Sequence, residues 1–108
     1  MKVKVLVVSN NSMATTIYGR LKSLDQIDFF MICPEQQLAR YKKYPVDLVV
    51  WARNDNDPIP PSIKYYFPGA MVIVIGPGEE IEAFPFGDIL NQILSIRRPP
   101  TRAILGGN

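Results

Sequence analysis

The residues best able to do chemistry fall in four short segments: Ser9-Asn10-Asn11, Cys33-Pro34, Ala52-Arg53-Asn54-Asp55 and Gly76-Pro77-Gly78. The first offers a hydroxyl and two amides ahead of a helical pattern. Such a junction can hold an anion on free backbone N–H groups. It has no glycine to let a phosphate approach closely, so helix capping is its simpler role. Cys33 ends an apolar run and reads as a small buried hydrophobe. Asp55 and Asp57 stand among turn-forming residues. Gly76-Pro77-Gly78 lacks the spacing of a P-loop or a dinucleotide fingerprint and reads as a turn.

Composition removes whole classes of activity. The 108 residues include no histidine. That excludes Ser-His-Asp triads, Cys-His dyads, His-metal sites and phosphohistidine. A single cysteine makes neither an intramolecular disulfide nor a Cys-rich zinc site. Lys and Arg number 12 against 10 Asp and Glu, a net charge of +2 that is too mild to mark a nucleic-acid binder. Tyr41, Tyr44, Trp51, Tyr65 and Tyr66 interleave with Lys42, Lys43, Arg53 and Lys64, as on a single-strand binding surface. Lys42-Lys43 suit a helix C-terminus, however, and Trp51 falls in a core run. No nucleic-acid partner is expected. No apolar stretch approaches the ~20 residues of a membrane span. Val5–Val8 is too short for a signal-peptide core. The simplest placement is cytoplasmic, with no membrane partner.

The elements that position these segments follow from hydrophobic pattern. Val3–Val8, Ile27–Cys33, Asp47–Ala52 and Ala70–Ile75 are continuous apolar runs without clean alternation. Runs of this kind suit parallel strands covered on both faces. Between them, Met13, Ile17, Leu21 and Leu24 form one helical stripe over 12–24, with Asn11 or Ser12 as N-cap. Pro34–Tyr44 predicts a second helix, with Leu38 and Tyr41 inward and Pro45 as its stop. Residues 58–67 predict a short third helix on Ile59, Ile63 and Phe67. Asp88 predicts the cap of a final helix carrying Ile89, Leu90, Ile93 and Leu94. The alternation implies a three-layer α/β/α sandwich with right-handed crossovers. Ligands of such sheets bind at the carboxyl ends of the strands.

Several of these pieces together resemble the receiver domain of bacterial response regulators. They are Lys2-Val3-Lys4-Val5-Leu6-Val7-Val8, the amphipathic first helix, Pro45-Val46-Asp47-Leu48-Val49-Val50 and Val72-Ile73-Val74-Ile75. Phe84-Pro85-Phe86 with Asp88-Ile89-Leu90 looks like the Lys-Pro-Phe segment before that family's last helix. The resemblance covers residues 2 to about 98 and implies a parallel sheet of 4–5 strands in the order 2-1-3-4-5. A working receiver also needs two acidic residues after the first strand and an aspartate after the third, which hold Mg²⁺. A Thr or Ser after the fourth strand and a Lys after the fifth contact the phosphoryl group. Here the acidic pair falls among Ser9, Asn10 and Asn11. The phosphoacceptor falls on Ala52, the Thr/Ser on Gly76 and the Lys on Phe84. None of these positions keeps the required residue, so the resemblance implies a pseudo-receiver that accepts no phosphate.

Length adds a second departure. Gly76 and Phe84 are eight residues apart, where the family places a helix and a strand. The fourth helix is therefore missing or reduced to a turn, and a fifth strand is at best Ile81–Phe84. An uncovered sheet face would mark an interaction surface, unless Phe67, Phe84 or the tail folds over it. The expected role is a regulatory protein-interaction module of a signalling or pilus/secretion-assembly protein. Its partner would be another protein or a second copy, bound through the last strand and helix near Ile81, Phe84, Phe86, Ile89 and Arg97. No catalytic residue, cofactor or metal is expected. The alternative is a flavodoxin-like domain binding a small molecule or anion at the carboxyl ends of the strands. Residues 1–98 form the receiver-like domain in this reading. Residues 99–108 form a linker or disordered tail, leading toward a further domain.

Overall fold

The computed structural model describes residues 2–10, 12–54 and 57–97. The tail segment 99–108 lies outside the described residues. Four strands form one parallel sheet: β1 (Val3–Ser9), β2 (Ile27–Cys33), β3 (Leu48–Ala52) and β4 (Met71–Ile75). Their order is β2-β1-β3-β4. The sheet has the smaller of the two expected strand numbers, and among the described residues no fifth strand forms over Ile81–Phe84. Ile81–Ala83 is a single 3-10 turn, and the chain passes from it into the last helix. No α-helix lies between β4 and that helix, as the short Gly76–Phe84 spacing requires.

Three α-helices complete the layers: α1 (Met13–Leu21), α2 (Pro61–Tyr66) and α3 (Phe86–Arg97). The segment after β2 departs from the expected α-helix. It is a 3-10 helix over Glu35–Tyr41, entered from an extended Pro34. The cause is visible in its anchors. Leu38 is its one buried residue and Tyr41 is half-buried. A spacing of three stacks directly in 3-10 geometry and does not make the wider stripe of an α-helix. The last helix begins before Asp88. Pro85 accepts the Ile89 N–H (3.2 Å), so Asp88 sits inside the first turn rather than at the cap. There it faces the positive end of the helix dipole. Among the described residues, no helix is long and apolar enough to cross a membrane.

The strands are mostly apolar because both faces of the sheet are covered. Val3, Val5 and Val7 of β1, Leu48, Val50 and Ala52 of β3, and Ile75 of β4 join Ile17 and Leu21 of α1 and Phe86, Leu90 and Ile93 of α3. Leu6, Val8, Val49 and Trp51 point the other way, onto Leu38, Ile63 and Phe67. Asp47, just ahead of β3, fixes the start of the sheet. Its carboxylate accepts the Lys4 N–H (2.9 Å), its own N–H donates to the Lys4 carbonyl (2.8 Å), and its carbonyl accepts the Met71 N–H (3.0 Å). One residue, through its carboxylate and its backbone, thus ties β1, β3 and β4 at their amino ends.

Candidate functional site at the carboxyl edge

Strand register brings several of the sequence-predicted positions into one row. Ser9 at the end of β1 pairs with Ala52 at the end of β3, and Ala52 pairs with Ile75 at the end of β4. Gly76 follows immediately. Ser9 is 7% exposed and Ala52 is 1% exposed. The Asn10 carboxamide oxygen accepts the Glu35 N–H (3.0 Å) and so closes the gap between β1 and the 3-10 helix. Asn11 and Asp55 lie outside the described residues.

The row holds an arginine where a metal-assisted phosphoryl site needs carboxylates. Arg53 donates its N–H to the Ile75 carbonyl (3.0 Å). Its side chain crosses Gly76 closely. A Cβ added at Gly76 would meet Arg53 Nε at 3.4 Å and Nη2 at 3.6 Å. Arg53 Nε is buried and makes no hydrogen bond among the described residues. A fixed guanidinium here repels a divalent cation by simple Coulomb interaction. Among the described residues, no group of three or more His, Cys, Asp or Glu is placed to hold a metal ion. Glu79, Glu80 and Glu82 are exposed instead and line a shallow groove with Met13, Thr16 and Ile81.

Cys33 closes the same edge at the end of β2. It is 1% exposed, and burial pushes its thiol up to about 11. A thiol in that range stays protonated near neutral pH and is a poor nucleophile.

Phe84 is not brought to this row. It follows the 3-10 turn, half-buried, with its ring 4.9 Å from that of Phe86. Arg20 holds the segment against α1. Its Nε donates to the Ile81 carbonyl (3.1 Å), its Nη2 donates to the Phe84 carbonyl (2.7 Å), and its guanidinium lies 5.4 Å from the Phe86 ring centroid. Arg20 thus packs the shortened segment on the sheet face that carries α1 and α3. This places the expected interface residues unevenly. Phe86 and Ile81 are inside the core of that face and offer no free surface. Ile89 and Phe84 are half-buried. Arg97 ends α3, and its side chain lies outside the described residues.

Sequence reasoning missed Arg20 and the arrangement of Arg53. The only sequence signal for Arg20 was a basic residue between the buried Ile17 and Leu21 on a helix. No known protein family matches this chain, and no curated protein or solved structure is significantly similar to it.

Proposed function

We propose that this chain is a non-catalytic, receiver-like regulatory module that acts by protein–protein contact and accepts no phosphoryl group. One observation carries the reading. The carboxyl edge aligns Ser9, Ala52 and Ile75 in register, so the position of a phosphoacceptor is a buried methyl group, and Arg53 lies against the neighbouring Gly76. The parallel sheet with layers on both faces supports the fold side of the same reading. A signalling or pilus/secretion-assembly parent and a cytoplasmic setting fit such a module. Incubation with a small-molecule phosphodonor and Mg²⁺ tests it: the intact mass stays unchanged. A phosphoryl adduct on any residue of the carboxyl edge overturns it.

A second reading, an anion- or small-molecule-binding domain at the same edge, is favoured by Arg53 alone. Guanidinium forks suit phosphate and carboxylate groups. The neighbouring Glu79, Glu80 and Glu82 oppose an anion there. Titration with inorganic phosphate separates the two. Saturable amide shifts at Arg53 and Gly76 support the second reading, and a flat response supports the first.

A further inference from the structure

β4 is the last strand of the sheet and pairs on one side only. Its backbone groups divide between the two sides. Met71 donates its N–H to the Asp47 carbonyl (3.0 Å), and the Ile75 carbonyl accepts the Arg53 N–H (3.0 Å). Alternate residues of a strand direct their N–H and C=O groups oppositely. Val72 and Val74 therefore present theirs to the open edge, where no described backbone group meets them. The flanking groups are already used. Ala70 donates its N–H to the Phe67 carbonyl (3.1 Å), and the Gly76 carbonyl accepts the Glu79 N–H (3.2 Å).

Natural sheets guard their edges with charges, prolines and bulges. β4 reads MVIVI and has none of these. The opposite edge does: β2 carries Asp28, and its ladder with β1 is irregular at that residue. An exposed apolar side chain also stands beside β4: Ile96 of α3 is 75% exposed. Ile96 lines a cavity of about 170 Å³ with Met71 and Ile93.

We infer that β4 pairs antiparallel with the β4 of a second copy of this chain, joining two sheets into one. This rests on the interaction-module reading and names its partner. A two-fold axis at Ile73, normal to the sheet, sets Val72 opposite Val74 of the second copy. Such a pair exchanges both N–H···O bonds, and Ile73 meets its own copy in the narrow pair between. The strand carries no charge to repel itself. Lys64 lies in the last turn of α2, toward the start of β4, and Glu79 and Glu80 lie beyond its end. Antiparallel pairing turns the end of each copy that carries Lys64 toward the end of the other that carries Glu79 and Glu80.

Sedimentation of the full chain over a concentration series, with backbone amide exchange on the same samples, tests this. The expected result is a reversible dimer in which the Val72 and Val74 amides slow as the dimer fills. Val72→Pro removes an N–H that β3 does not use, and it weakens the dimer by roughly tenfold or more. Ile96→Ser, at an exposed site, weakens it in the same direction should the proline variant fail to fold. A chain that stays monomeric with fast Val72 and Val74 amides overturns the inference, as does a dimer protected on another surface. A monomer that binds a different protein along β4 overturns self-pairing and leaves the interaction-module reading standing. A phosphoryl adduct overturns that reading and leaves the β4 pairing intact.

Discussion

The carboxyl edge of the sheet and the outer edge of β4 differ in what each has kept. The carboxyl edge keeps the geometry of a site: strand ends in register, a turn at Gly76, and a helix starting just beyond Ser9. Its described side chains carry no carboxylate cluster or activated nucleophile. Ala52 is a methyl, Cys33 is a buried protonated thiol, and Arg53 occupies the space over Gly76. The β4 edge has no catalytic group at all, yet it keeps unspent hydrogen-bonding capacity and apolar surface. Shape alone therefore does not identify the working surface. In the pairing proposed above, open hydrogen-bonding capacity marks it instead, at β4.

The largest effect that would sharpen this contrast comes from Phe86→Ala. Phe86 is fully buried among β-strand and helix side chains, so the variant should lose roughly 3–5 kcal/mol in urea denaturation. A loss under about 1 kcal/mol would return Phe86 to the surface and reopen it as an interface residue. Arg20→Met should cost less, about 2 kcal/mol, because it removes charged hydrogen bonds to the Ile81 and Phe84 carbonyls. Thermal melting measures this. An unchanged melting temperature would mean that the shortened segment holds its place without the arginine.

Cys33 gives a smaller, pH-dependent effect. Its folded value lies above the ordinary 9.0, so the folded chain holds the thiol proton longer than the unfolded chain. The resulting stability is complete below pH 9 and is lost as pH rises toward about 11. The loss should vanish in Cys33→Ala, measured by denaturation at a series of alkaline pH values. The smallest effect belongs to the exposed Lys4–Asp28 pair (2.8 Å). Lys4 holds the Asp28 carboxyl below its ordinary 3.8 by hydrogen bonding and charge. Its contribution is present above 3.8 and disappears only as pH falls through the lowered value. Asp28→Asn should leave the melting temperature at neutral pH nearly unchanged, while removing the charge from the β2 edge. New self-association of that variant through β2 would show that charge guarding decides which edge pairs.

The strands were legible because continuous apolar runs have one simple use in a sheet covered on both faces. β2 lies over Ile27–Cys33, as its run predicts, and the other strands differ from theirs by a residue at one end. The missing helix was legible by counting from Gly76 to Phe84. How the segment after Gly76 is held was not, because Arg20 meets its acceptors 61 and 64 positions away. The same distance problem hid Asp47, whose carboxylate reaches Lys4 across 43 positions. Ile81 and Phe86 look like surface anchors in a sequence that expects a fifth strand. Without that strand they turn inward, into the core beneath α1 and α3. The carboxyl-edge residues were legible as losses, since alanine and glycine cannot carry the missing groups. Arg53 over Gly76 was not, because a close approach between strand ends leaves no periodic signal.

The most direct measurement is an amide-resolved NMR titration of the full chain with Mg²⁺ and a fluoroberyllate phosphoryl mimic. Resonances of Ser9, Asn10, Ala52, Arg53 and Gly76 should stay where they are throughout the titration. Saturable shifts clustered on those residues would contradict a carboxyl edge that has lost phosphotransfer.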